Sequence, residues 1–127
     1  MFILLVDDDF DDCELFAETV MEIDPGSTVR SLHDGIEALN YLNSESVMPD
    51  MIFLDINMPK MNGKQLFIVL RRDERFLSTP VIIYSTSIPD REARYFESHG
   101  VRTLVKPSTY QALREALSEI ILPEMKL

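Results

Sequence analysis

The chain has 127 residues, 46% of them hydrophobic and 27% charged, a balance that suits one folded domain with an ordinary core and excludes a disordered chain. Its formal net charge of −10 repels phosphate backbones and anionic lipids, so direct binding to nucleic acid or to a membrane surface is not expected. No apolar run approaches the roughly 20 residues of a membrane-spanning helix. The opening "MFILLVDDD" has neither the basic stretch nor the small-residue cleavage site of a signal peptide. A single cysteine, Cys13, cannot form an internal disulfide. The expected setting is therefore a reducing cytoplasm, with Cys13 as a small packing residue.

Along the chain, apolar runs alternate with helical patterns. "FILLV" (2–6) reads as a first strand, followed by a helix marked by Leu15, Val20 and Ile23. "TVRSL" (28–32) is the second strand, and Ile36, Leu39 and Leu42 mark the helix after it. "MIFL" (51–54) and the helix of Leu66, Val69 and Leu70 come next. "VIIY" (81–84) precedes a helix with Ala93 and Phe96, and "RTLV" (102–105) precedes one with Leu113, Leu117 and Ile120. All but the second strand are largely apolar without alternation, as parallel strands covered on both faces should be. Asp34 with Glu37, and Ser108 with Gln111, match capping boxes, and Gly100 suits a left-handed helix terminus. Arg71, Arg72 and Arg75 are expected to solvate a helix face, and His33 and His99 to sit on the surface or at helix ends. Strict alternation of this kind predicts a doubly wound α/β fold in one domain: a five-stranded parallel sheet with helices on both faces.

Ligands in such folds collect beyond the carboxyl ends of the strands. Asp7 and Asp8 follow the first strand, Asp55 the third, Ser85 the fourth and Lys106 the fifth. Three carboxylates, a hydroxyl and an ammonium thus converge on one edge. A divalent cation with lysine would neutralise the three acids, and hard oxygen donors suit Mg²⁺, with Mn²⁺ also possible. Five of residues 7–12 are aspartate; Asp7 and Asp8 are assigned to the cation, and Asp9, Asp11 and Asp12 to the positive end of the following helix. Asp7, Asp9, Asp11 and Glu18 also fall at ligand positions of a calcium loop, but that loop needs glycine where Asp12 stands and a helix where a strand precedes.

These residues resemble the receiver domain of two-component response regulators, from about residue 2 to 122. "LLVDDD" is similar to the family's acidic pair, "LDINMPKMNG" (54–63) to its phosphoacceptor segment, "PVIIYSTS" (80–87) to its hydroxyl-bearing strand, and "LVKPS" (104–108) to its Lys-Pro pair. The resemblance implies the flavodoxin-like strand order 2-1-3-4-5, with Asp55 as phosphoacceptor. Asp7, Asp8, Asp55 and the backbone carbonyl of Asn57 would hold Mg²⁺. Ser85 and Lys106 would contact the phosphoryl group, and the bond before Pro107 is often cis in this family. It implies a sensor histidine kinase or histidine phosphotransfer protein as donor, a downstream protein target, a monomer or weak dimer, and no enzyme activity beyond weak self-phosphorylation and self-dephosphorylation.

Residues 1–127 are expected to form a single stand-alone receiver without an output domain, or one excised from a longer regulator. "DDFDD" and "STS" resemble stand-alone receivers paired with phytochrome-type kinases. The usual output face would include Arg91, Arg94, Tyr95, Arg102, Thr103 and Arg114. Thr103 stands where many members carry a switching aromatic, so signalling is expected to rely more on Ser85 drawing in the 86–90 loop. Thr86 stands where many have Ala or Gly and is expected to narrow access to the phosphoryl group. Two other functions compete. A constitutive interaction module would not need the intact site. A phosphoaspartyl phosphatase needs a second acid two residues after its nucleophile, where this chain has Asn57.

Overall fold

The computed structural model describes residues 1–44 and 48–125; residues 45–47 and 126–127 of the expected 1–127 domain lie outside the described residues. In chain order the elements are β1 (Phe2–Val6), α1 (Phe10–Ile23), β2 (Thr28–Leu32), α2 (Gly35–Ser44), β3 (Met51–Leu54), α3 (Gly63–Arg71), a 3₁₀ turn (Glu74–Phe76), β4 (Val81–Ser85), α4 (Asp90–Ser98), β5 (Arg102–Val105) and α5 (Tyr110–Glu124). The five strands are parallel in the order β2-β1-β3-β4-β5, as expected.

Successive strand residues face opposite layers. Ile3, Leu5, Met51, Phe53, Ile82 and Tyr84 pack against Cys13, Phe16 and Val20 of α1 and Leu113, Leu117, Ile120 and Ile121 of α5. Leu4, Val6, Ile52, Leu54, Val81 and Ile83 pack on the other face against Ala38 and Leu42 of α2, Leu66, Phe67 and Leu70 of α3, and Phe96 of α4. Both faces being covered, β1, β3 and β4 carry no polar alternation. β5 departs from the expectation: Arg102, Thr103 and Val105 are exposed, because β5 is an edge strand flanked only by β4. Leu15, Ile36 and Val69 are likewise exposed, although they fit the helical period.

Local chemistry sets the helix ends. Asp9 caps α1 by accepting from the Asp12 amide at 3.0 Å. Asp34 accepts from the Glu37 amide at 2.8 Å, which is half of the expected box. The full box belongs instead to Asn62 and Gln65 at α3. At α5 the cap is Thr109, one residue beyond the Ser108 expected; it accepts from the Ala112 amide at 3.1 Å. α4 ends in a Schellman motif at Gly100, whose φ is 69°: the Gly100 amide donates to Glu97 O and the Val101 amide to Phe96 O. The arginine group is structural rather than merely solvating. Arg71 donates to the carbonyls of Phe76 (2.8 Å) and Thr79 (3.1 Å), and Arg75 pairs with Asp73 at 2.7 Å.

Gly63 opens α3 directly against the backbone of β3's end, where an added Cβ would lie 2.2 Å from Asp55 O. Gly26 has room, its nearest neighbour for such an atom being 3.5 Å away. Gly63→Ala should therefore lower unfolding free energy by about 1–3 kcal/mol in urea titrations, the range for overpacking. Gly26→Ala should change it by less than about 0.5 kcal/mol.

Candidate functional site

The sheet's hydrogen-bond ladder continues one residue past the strands and fixes the site. The Asp7 amide donates to Leu32 O (2.9 Å), the Asp55 amide to Val6 O (2.9 Å), and the Lys106 amide to Ser85 O (2.8 Å). Three residues distant in sequence are thereby held side by side along one edge. Asp7, Ser85 and the side chain of Lys106 are almost fully buried, as is Asp55, whereas Asp8 and Asn57 are exposed at the rim.

Oxygens of Asp7, Asp8 and Asp55 lie within 4.8 Å of one another. The calcium-loop alternative fails on geometry: Asp9 is a helix cap, and a strand rather than a helix directly precedes Asp7. Asp55 Oδ1 accepts from Ser85 Oγ at 2.7 Å and from the Asn57 amide at 3.2 Å. Asp55 Oδ2 faces Lys106 Nζ at 3.6 Å. Lys106 Nζ lies closer to Asp7 Oδ2 (2.6 Å) and to Asp12 Oδ2 (2.8 Å), and 5.3 Å above the Tyr84 ring. That ring belongs to an aromatic cluster with Phe16 and Phe53, so the α1–α5 core is the floor of the site. Every described peptide bond is trans, including the one before Pro107, which corrects the cis geometry the resemblance allowed.

Burial pushes Asp7 up to about 6, with Lys106 and the Asp9 amide offsetting only part of the effect. Burial acts to lower Lys106, but its contacts with Asp12 and Asp7 outweigh that and hold it above the usual lysine range. Cys13, which donates to Asp7 O at 3.4 Å, is pushed up to about 11 by burial and by the Asp7 charge, an inert thiol as expected.

Fit to a divalent cation rests on the donor set. Three carboxylates, of Asp7, Asp12 and Asp55, face one ammonium, and Asp8 adds a fourth at the rim. Asp7 Oδ2 is buried and, among the described residues, meets the Lys106 ammonium at 2.6 Å without a well-aligned hydrogen bond. A hard, doubly charged ion would satisfy that oxygen, and exposed Asp8 leaves room for its water.

Asp12 is the residue that sequence reasoning missed. Its position on the first turn points only to the α1 dipole, yet its carboxylate reaches across to Lys106. The signal was present in its place on the first turn, but only the fold brings residue 106 opposite it. His33 is partly buried, its Nδ1 3.0 Å from Asp7 O and its ring 4.1 Å from that of Phe10. Arg114, expected on the output face, instead pairs with Glu22 of α1 at 2.9 Å. Thr103 and Thr86 are exposed.

The model of the response regulator receiver domain matches residues 3–118. This chain belongs to that family. A probable methanogenesis regulatory protein of Methanothrix harundinacea, FilR2, is 30% identical, the match covering 93% of this chain and 79% of that protein. Other curated relatives are much longer, and this chain spans 47% of one and 12% of another. Among solved structures, the Mn²⁺-bound form of response regulator Rcp1 is 25% identical with a TM-score of 0.83, covering 94% of this chain and 90% of that one. The phosphorylated cyanobacterial phytochrome response regulator RcpA is 27% identical with the same TM-score of 0.83, covering 94% and 89%. The fold is that of these receivers, a module of two-component signalling. No helix among the described residues is long and apolar enough to cross a membrane.

For the metal-free protein, the raised Asp7 value sets a sign. An acid whose folded pKa is about 6 against 3.8 unfolded contributes most favourably when protonated. Stability should therefore be greatest below about pH 4 as far as this group is concerned, and fall as pH rises through about 6. Asp7→Asn should remove that loss, raising the unfolding free energy at pH 7 by roughly 1–3 kcal/mol and by little at pH 4. Urea unfolding in EDTA at both pH values measures it.

Proposed function

We propose that this receiver accepts a phosphoryl group on Asp55 from a sensor histidine kinase or a histidine phosphotransfer protein, and thereby changes the face it offers to a downstream protein. The observation that carries this reading is the division of labour on Asp55. Ser85 and the Asn57 amide hold Oδ1, which leaves Oδ2 as the oxygen facing the Lys106 ammonium. Oδ2 is the nucleophile: it forms the O–P bond as the P–N bond to the donor imidazole breaks, and the imidazole nitrogen keeps the electron pair. Catalysis of such a step is mostly positioning and charge neutralisation, which a fixed carboxylate beside an ammonium supplies.

Asp7, Asp8, Asp55 and the Asn57 backbone carbonyl would hold Mg²⁺, or Mn²⁺, which supplies positive charge to the phosphoryl oxygens when bound. Lys106 steadies an equatorial oxygen. The Ser85 hydroxyl exchanges its present acceptor, Asp55 Oδ1, for a phosphoryl oxygen. Because Ser85 is already buried and aimed at Asp55, this exchange needs a short movement of the 86–90 loop at the start of α4. The exposure of Thr103 supports a switch through Ser85, since a threonine at the surface has little area to bury on activation. The same site would give slow self-phosphorylation from small donors and slow hydrolysis. A phytochrome-type kinase is the donor class favoured by the likeness to RcpA and by the "DDFDD" and "STS" segments. The cytoplasm is the expected compartment, and residues 1–127 act as one receiver unit.

Incubation with acetyl phosphate should add one phosphoryl mass to the native protein when Mg²⁺ is present and none in EDTA, with Asp55→Asn unlabelled. Equal labelling of Asp55→Asn would overturn the assignment and leave the constitutive-module reading in its place. Ser85→Ala should still take the label, but the amide shifts of residues 88–105 that beryllofluoride induces should fall by more than half. Thr103→Ala should retain most of them.

A further inference from the structure

We infer that Asp12 is a positioning residue, a lysine-holding carboxylate that competes with the phosphorylation site for the Lys106 ammonium. The inference rests on the phosphoacceptor reading above and adds a residue to it. Lys106 Nζ is 2.8 Å from Asp12 Oδ2 in a hydrogen bond, but 3.6 Å from Asp55 Oδ2. The ammonium is thus drawn toward the α1 side of the pocket, where Asp12 and Asp7 flank it, and away from the oxygen that takes the phosphoryl group.

The geometry on the α1 side is built rather than accidental. Asp9 caps the helix by accepting from the Asp12 amide, which fixes the backbone of residue 12 in the first turn. One turn of helix separates Asp9 from Asp12, and the intervening Asp11 is exposed. Of the three acids assigned to the helix end by sequence, one caps, one faces water and one reaches Lys106. The Asp12 side chain is 34% exposed against 7% for Lys106. Asp12 can therefore turn to water once Lys106 leaves it, whereas Lys106 always needs an anionic partner in the pocket. When a phosphoryl group brings additional negative charge to Asp55, Lys106 moves toward it, and the Asp12 contact is the interaction lost. A contact present only before phosphorylation stabilises the unphosphorylated state and opposes the phosphorylated one. Asp12 is in this sense a brake on the switch.

The test uses Asp12→Asn, which keeps the shape and removes the charge, with Asp11→Asn as a control for the general field of a negative charge near the pocket. At saturating Mg²⁺, beryllofluoride should bind Asp12→Asn about fivefold more tightly than the wild type, the scale of a partly exposed charge pair, and Asp11→Asn within about twofold of it. A second readout needs no phosphoryl mimic. In the free protein the Lys106 ε-methylene resonance of Asp12→Asn should lie displaced from the wild-type position toward that of the beryllofluoride complex. Wild-type protein that takes no beryllofluoride at all would overturn the phosphoacceptor reading, and this inference with it. Wild type that binds, together with Asp12→Asn that binds no more tightly or leaves the Lys106 resonance in place, would overturn the role of Asp12 alone. So would an equal gain in Asp11→Asn, since the effect would then be one of net charge.

Discussion

Lys106 sits with its ammonium between the carboxylates of Asp7 and Asp12 and within reach of Asp55, and the organisation of the carboxyl edge of the sheet depends on that placement. Burial resists the ionisation of Asp7, which is raised to about 6 despite its lysine partner, with the Asp55 charge adding a smaller push. A single ammonium offsets part of the repulsion and leaves negative charge in excess. That remainder of negative charge on hard oxygen donors is what fits the pocket to the divalent ion proposed above. The Tyr84 ring beneath Lys106 ties this charge arrangement to the α1–α5 core. Loss of packing there would be felt as misplaced charge.

The frame that delivers these groups is the parallel ladder. Each of Asp7, Asp55 and Lys106 donates its amide to the carbonyl of a residue at the end of the neighbouring strand, so their relative positions are set by backbone geometry rather than by side-chain choice. Gly63 brings α3 onto the Asp55 backbone more closely than any other residue type would permit, and the Asn62–Gln65 box starts that helix in place. The Schellman motif at Gly100 ends α4 and returns the chain to β5, which carries Lys106 to the edge.

The stretch from Asp7 to Asp12 shows how one residue type takes several roles through position alone. Asp7 directly follows a strand and is buried; Asp8 stands at the rim; Asp9 is a helix cap; Asp11 meets water; Asp12 meets a lysine from the far edge of the sheet. Helical periodicity separates Asp11 from Asp12, since adjacent positions point about 100° apart on the helix. Charge density that would be costly in a flat surface is thus distributed among a buried acidic pocket, a helix dipole, an ammonium and solvent.

Sequence alone determined the α/β class, the strand order implied by the resemblance, and the convergence of Asp7, Asp8, Asp55, Ser85 and Lys106. It could do so because apolar runs record strands buried on both faces, and because parallel alternation places every strand's last residue on the same edge. The exposure of β5, the shift of the α5 cap from Ser108 to Thr109, and the structural bonds of Arg71 were not legible, since each depends on what a neighbouring element covers or offers. Nor was the partnership of Asp12 with Lys106, residues 94 positions apart. Local pattern accounts for a side chain's helix or strand and the face it occupies. Only tertiary structure decided which distant charge it meets, because that is fixed by the packing of α1 across the end of the sheet.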